Sequence, residues 1–448
     1  MASSKKPASK RDSISNKVQQ VLAEVFLAQK LAHPHLLVAF SGGLDSSVLL
    51  HLLSQLQEKF PFKISAMHVH HGLSANADAW AEFCEKTCAA LNIPLQVQKV
   101  KLNQKSGLGV EATARNARYA ALNQAQADFI CLAQHQDDQA ETLLLQLARG
   151  AGAKGLAGMA QLDLQRKLLR PLLNLSRAEL EAYAKQHRLQ WIEDESNDDT
   201  QFDRNFMRHE VLPSLQKRYP AITQTLSRSA ENLAEASEML DGLAQIDAGN
   251  SAQRQKINLD LFKSLSGARQ ANLMRWWLAQ NQLIMPSAQQ LKQILQQLLH
   301  AKSDAAVKIK VAESQYISRF QDSAYLLNAP IEMPPINLLW QDEEVIVLPN
   351  QSRLIFSKKL GEGLALPHGI KLRIKNREGG ERFKPELGRP SRTLKYMLQS
   401  SAMPPWQREQ LPLIFMDETL AYIPNLGATA ELQAKPHEMG CVIAWVDN

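Results

Sequence analysis

The stretch LLVAFSGGLDSS, residues 36–47, decides the fold of the first half of the chain. Leu36–Phe40 is short and wholly apolar, the pattern of a strand buried on both faces. Ser46–Lys59 then carries apolar residues at helical spacing. The glycines of the intervening Ser41-Gly42-Gly43-Leu44-Asp45 tolerate positive φ and let backbone approach a ligand closely. A strand, a glycine loop and a helix N-terminus in succession present N–H groups and a positive helix end to an anion. Ser41, Ser46 and Ser47 add hydroxyl donors, and Asp45 suits a Mg2+ riding on phosphate oxygens. Ser, Gly and Asp also favour a plain turn and helix cap. Seven consecutive such residues between a strand and a helix favour phosphate.

Outward from this loop the alternation continues: strand 62–69, helix 76–91, strand 95–100, helix 110–127, strand 128–133, helix 136–149. The expected fold class is α/β, a doubly wound parallel sheet whose ligands lie beyond the carboxyl ends of its strands. From about 221 the composition turns to helix formers, Pro330, Pro334 and Pro335 mark a linker, and past 340 short alternating segments with frequent Gly and Pro follow. The chain therefore reads as a disordered basic tail (1–17), an α/β catalytic domain (18–215), a small helical domain (216–325), a linker (326–350) and a small C-terminal α+β domain (351–448).

The chain has 448 residues, 45% of them hydrophobic and 21% charged, enough for several cores. No apolar run approaches the roughly 18 residues that span a bilayer, which argues against a membrane protein. Four cysteines are too few for a disulfide framework and suit a reducing cytoplasm. The net charge of +6 divides unevenly: residues 1–17 carry +4, residues 371–408 carry +7 and the remainder −5. The distal stretch is thus a candidate polyanion surface.

No GxxxxGK[ST] motif occurs, so the loop is not of the Walker type. SGGxDS resembles the pyrophosphate loop (PP-loop) of the N-type ATP pyrophosphatases, which split ATP between its α and β phosphates and transfer AMP to a carbonyl-type oxygen. Four further motifs, HVHHGLSANADAW (68–80), EATARNARY (111–119), AQHQDDQAET (133–142) and WIEDESNDDTQFDRNFMR (191–208), resemble the tRNA(Ile)-lysidine synthetase family. The stretch 377–415, beginning REGGERFKPELGRPSRTLKYML, resembles the distal domain of that family. The likeness runs from about residue 35 to the end and is weakest in the helical middle. It implies a cytoplasmic ligase using ATP, Mg2+ and L-lysine on a tRNA(Ile) with anticodon CAU. The wobble cytidine is adenylated on its C2 oxygen, and the lysine amine then displaces AMP. A tRNA thiolase of the same superfamily is the alternative, although that chemistry wants paired or catalytic cysteines and the chain has no CxxC. The oligomeric state is left open, a homodimer included.

Asp138 and Glu141, three apart, project from one helix face and suit a cationic amino acid. The resemblance assigns them to lysine, while an acidic helix start favoured by the dipole is the plain alternative. Carboxylates favour the ammonium form of lysine but attack needs the free amine, so His135 or one of these carboxylates is a candidate proton acceptor. Arg115, with Arg118 on the same helix face, is placed to neutralise phosphate charge, against simple helix-surface pairing. Arg204 and Arg208, four apart, could both face tRNA or the phosphate site. Asp45, His135, Arg115 and Arg204 form the candidate catalytic set. His68, His70 and His71, three histidines in four positions, would suit zinc, but the resemblance places this loop beside a nucleotide pocket without a structural zinc, and its position at a strand end suggests nucleotide or base contact. Arg382, Lys384, Arg389, Arg392 and Lys395, interleaved with Phe383, Tyr396 and Trp406, read as a tRNA-binding patch.

Overall fold

The computed structural model describes residues 10–72, 74–101, 109–249, 252–301, 307–329, 335–366, 371–388, 390–401 and 403–446. It divides into two compact units, Met1–Leu243 and Ala244–Asn448.

In the first unit the apolar run forms β1 (His35–Ala39), preceded by α1 (Lys10–Ala28) and followed by α2 (Leu44–Gln57). Then come β2 (Lys63–His70), α3 (Ala77–Ala90), β3 (Leu95–Lys99), α4 (Val110–Leu122), β4 (Phe129–Cys131) and α5 (Gln136–Ala148). A short α6 (Ala153–Leu156), the hairpin of β5 (Leu162–Asp163) and β6 (Leu168–Leu169), and α7 (Arg177–Gln186) complete the sheet region. The six strands are ordered β3-β2-β1-β4-β6-β5, all parallel except β5, which runs antiparallel to β6.

The alternation along β1 builds two cores. Leu36 and Val38 join α1, α2, α3 and α7 on one face, while Leu37 meets Ala121 and Leu122 of α4 on the other. This is the doubly wound arrangement expected from the alternating pattern. In α2, Val48, Leu49, Leu50, Leu52, Leu53 and Leu56 are all fully buried, so its stability comes from burial at roughly 1.5–3 kcal/mol per side chain. The strand order reverses direction between β1 and β4, and the loops after both strands open at that switch point.

Three domain limits differ from expectation. Helix α1 begins at Lys10, inside the stretch 1–17 read as a disordered tail, because Ile14 is already one of its buried apolar residues, followed by Val18 and Leu22. Residues 1–9 lie outside the described residues. The catalytic region closes with α8 (Asp203–Phe206), α9 (Leu212–Arg218) bridges to the middle region, and that region opens with the long α10 (Ile222–Ala248), within which the two units divide. It then adds β7 (Lys256–Asn258), α11 (Asp260–Lys263), α12 (Gly267–Gln280), α13 (Ala288–His300), β8 (Lys308–Lys310), β9 (Gln315–Phe320) and β10 (Ser323–Asn328). It is therefore helical with an antiparallel sheet, β7-β10-β9-β8, whose strands of three to six residues are too short and mixed to stand out in sequence.

The span 326–350 is likewise more than a linker, since it holds the end of β10, all of β11 (Asn337–Trp340) and all of β12 (Val345–Val347). These pair with β15 (Leu372–Lys375) and β13 (Arg353–Leu360), respectively. The distal region also contains β14 (Leu364–Ala365), β16 (Arg382–Phe383), β17 (Arg392–Thr393), α14 (Leu394–Ser400), α15 (Pro405–Gln410), β18 (Leu413–Met416), β19 (Thr419–Ile423), β20 (Gly427–Ala428) and β21 (Met439–Val446). Two sheets, β11-β15-β18-β19-β20 and β12-β13-β21-β14, share one core through Trp340, Ile374 and Ile414 from the first and Leu354, Phe356 and Ile443 from the second. No described helix is long and apolar enough to cross a membrane.

Candidate active site

The loop after β1 is shaped by its own polar groups. Gly42 adopts φ +86, and its carbonyl accepts the Ile192 backbone N–H at 2.9 Å. Ser46 Oγ donates to the Gly43 carbonyl at 3.0 Å and Ser47 Oγ to the Gly42 carbonyl at 3.3 Å. Both serines are buried, so their hydroxyls hold the loop rather than point outward. Ser41 Oγ, 3.0 Å from Ser46 Oγ, lies on the exposed side. Leu44 is buried and contributes backbone alone. Gly43, lacking a side chain, caps α2 only through its backbone, which leaves first-turn N–H groups for an anion.

Across the switch point, the loop after β4 brings His135, Asp137 and Asp138 to Asp45. The buried His135 ring has Nε2 at 3.6 Å from Asp45 Oδ2 and 3.5 Å from Asp138 Oδ2, and Nδ1 at 3.6 Å from Asp137 Oδ2. These are ion-pair distances, longer than hydrogen bonds. Burial alone would lower the imidazole pKa, but Asp138, Asp137 and Asp45 outweigh it and raise it to about 10. Three carboxylates around the ring favour its protonated form, so in this arrangement His135 is better placed to hold the acidic cluster together than to accept a proton.

Asp138 and Glu141 do share one face of α5, both buried, and each is already paired. Arg204 of α8 reaches Asp138 Oδ1 at 2.9 Å and Glu141 Oε2 at 2.8 Å. Arg208 lies in the π-helical turn Met207–Val211 that follows α8, and it reaches Glu141 Oε1 at 2.6 Å and Asp138 Oδ1 at 3.2 Å. The Asp138 carboxyl, which burial would raise, is held below its ordinary pKa by His135, Arg204, the His135 backbone N–H and Arg208. Both arginines thus face the carboxylate pair.

Arg177, at the first position of α7, was not legible as a site residue. Its Nη1 donates to Asp45 Oδ2 at 3.0 Å and its backbone N–H to Asp137 Oδ2 at 2.8 Å. A cation in the first helical turn opposes the helix dipole, and that was the available signal. Arg170, also missed, is buried and donates from Nη1 to the Ala160 carbonyl at 2.6 Å and from Nε to Gln134, anchoring the loop after β4.

Asp45 Oδ1 is buried without a hydrogen-bond partner among the described residues, a free lone pair that fits a cation. Among the described residues no grouping of three or more His, Cys, Asp or Glu side chains could form a cage, so Asp45 is the side chain that would hold a phosphate-bound Mg2+. Arg115 is exposed on α4 with its guanidinium 5.6 Å from the Tyr119 ring, and its charge acts on Arg170, which anchors the loop after β4. The three histidines have separate settings. His68 Nδ1 bonds the Phe40 carbonyl at 3.0 Å, His70 Nε2 lies 3.1 Å from Asp78, and burial together with Arg118 pushes His71 down to about 4. Cys84, Cys88 and Cys131 are buried, and burial pushes their thiols up to about 12, 11 and 12, which disfavours the thiolate a sulfur chemistry would need.

In the second unit, Arg382 donates to the Ser391 hydroxyl at 3.0 Å and carbonyl at 2.8 Å, and Lys384 pairs with Glu431 at 3.0 Å. Phe383 is core, and Trp406 packs edge-on against Phe320 and Tyr325, so neither is a base-stacking surface. Tyr396 is 56% exposed with the Arg392 guanidinium 5.4 Å from its ring, and Lys395 is exposed beside it. Arg389 lies outside the described residues.

Three family models match the chain: a PP-loop domain at residues 11–215, a TilS substrate binding domain at 258–325 and a TilS substrate C-terminal domain at 372–445. The tRNA(Ile)-lysidine synthase of Nitrosomonas europaea is 40% identical over 426 residues, covering 93% of both chains. That of Serratia proteamaculans is 42% identical over 426 residues, covering 91% of this chain and 96% of its own. A U34-tRNA thiolase from Methanococcus maripaludis aligns at 19% identity and a TM-score of 0.44 over 50% of this chain and 80% of its own, too slight a likeness to bear on the assignment. With matched domains in the same order and two relatives similar almost end to end, the chain belongs to the tRNA(Ile)-lysidine synthase family.

Proposed function

We propose that this protein joins L-lysine to C2 of the wobble cytidine in a CAU-anticodon tRNA(Ile), using ATP and releasing pyrophosphate and AMP. The observation that carries the reading is the meeting of Asp45, on the phosphate loop, and Asp138, on the carboxylate helix, at one His135 ring nitrogen. An ATP held by the loop and a lysine held by the carboxylates would then flank a single base.

In the first step the cytidine O2 attacks the α-phosphorus and the bond to the β-phosphate oxygen breaks, so pyrophosphate leaves. In the second the lysine amine attacks C2 and the C2–O bond breaks, so AMP leaves. Backbone N–H groups at the start of α2 stabilise the departing pyrophosphate. Mg2+, held by Asp45, would neutralise charge on the phosphates. The His135 imidazolium and Arg177 keep the acidic cluster compact beside it, and a carboxylate takes the proton from the amine. The exposed Tyr396, Arg392 and Lys395 suit contact with the tRNA body.

Asp45→Ala tests this reading. AMP formation should fall by about three orders of magnitude, the scale of removing a phosphate-site charge stabiliser. Filter-binding affinity for tRNA should stay within about threefold, because Asp45 serves ATP. Equal loss of both would contradict the division of labour.

A further inference from the structure

The two carboxylates proposed to hold lysine are not open to it in this structure. Asp138 and Glu141 are 8% and 1% exposed, and Arg204 and Arg208 spend a fork of donors on them at 2.6–3.2 Å. Two buried anions face two guanidiniums, so the pair is already neutral and a lysine ammonium would have to replace a better-matched, bidentate partner. Both guanidiniums come from one segment, α8 and the π turn Met207–Val211, and π turns inside helices recur at functional sites because their wider pitch can be released. The carboxylate cluster also touches the phosphate loop through His135, so only His135 and Asp138 separate Asp45 from the two arginines.

We infer that Arg204 and Arg208 couple lysine entry to ATP binding: ATP phosphates draw the guanidiniums off Asp138 and Glu141, and only then do those carboxylates accept lysine. This rests on the lysine-site reading above. The exchange costs little on either side, because each arginine trades a carboxylate for a phosphate and each carboxylate trades an arginine for an ammonium. It prevents the free enzyme from filling with lysine alone, and it gives Arg208 a role in substrate order rather than only in folding. Linkage makes the coupling reciprocal, so lysine must tighten nucleotide binding by the same factor.

The test is titration calorimetry of L-lysine into the full-length wild-type protein, alone and with saturating α,β-methylene ATP and Mg2+. Lysine affinity should rise by on the order of tenfold with the nucleotide analogue, and the analogue should tighten equally with lysine present. Arg208→Gln should bind lysine more tightly without nucleotide and should lose most of the coupling. Arg208→Lys, which keeps a cation but not the fork, provides a second variant if Gln impairs folding, and its coupling should also shrink. Equal lysine affinity with and without the analogue in wild type would overturn the coupling. Failure of a different kind identifies the other premise. Lysine that binds in neither condition, or binding that survives Asp138→Asn unchanged, would overturn the lysine site itself.

Discussion

Gly42 sits at φ +86, and a Cβ built on it would stand 2.6 Å from Ile192 Cδ1 and 3.2 Å from Cys84 Sγ. Gly42→Ala therefore combines a left-handed backbone strain with a clash, and a loss of about 2 kcal/mol is expected in urea unfolding. Loss below about 0.5 kcal/mol would mean that the loop relaxes without strain. His135 gives a second residue-scale prediction. Its folded pKa of about 10 lies above the ordinary 6.5, so the stability from its carboxylate contacts is complete below pH 6.5 and fades as pH rises through about 10. The stability gap between wild type and His135→Gln should narrow over that window, and a constant gap would show that the imidazole is neutral. The identities of Asp45, His135, Asp138 and Glu141 were legible because their residue types and spacings are local. Their pairing with Arg204, Arg208 and Arg177 was not, since it depends on segments 40 to 132 residues away folding back to the ends of the central strands β1 and β4.

At the scale of elements, the catalytic sheet was readable because its periodicities are strong: the apolar run of β1 and the leucines of α2 leave little choice. Leu53, fully buried in α2, tests that packing, and Leu53→Ala should cost about 2–5 kcal/mol by thermal or urea unfolding. Less than about 1 kcal/mol would mean that α2 is less essential to the core than its burial indicates. The short strands of the middle and distal regions escaped because β7, β8 and β12 are three residues each, too short for a period to be read. The segment α14 with β17 carries its own prediction. Arg392→Ala should lower the slope of log affinity for tRNA against log salt by about one unit, and Tyr396→Ala should cost about 1–3 kcal/mol of binding. Unchanged values for both would place the RNA surface elsewhere.

For the whole molecule, the uneven charge proved more informative than its total. In the first unit Arg204 and Arg208 are held against the buried Asp138 and Glu141. The second unit leaves Arg392, Lys395 and Tyr396 at the surface. The proposed function assigns chemistry on one base to the first unit and grip on the RNA body to the second, which would account for a nearly balanced catalytic region beside a basic distal stretch. The most direct test supplies the purified protein with ATP, Mg2+, labelled L-lysine and a CAU-anticodon tRNA(Ile) transcript. Label should enter the tRNA with one AMP and one pyrophosphate released per lysine, and omission of ATP should abolish it. ATP cleavage without label in the tRNA would contradict the account.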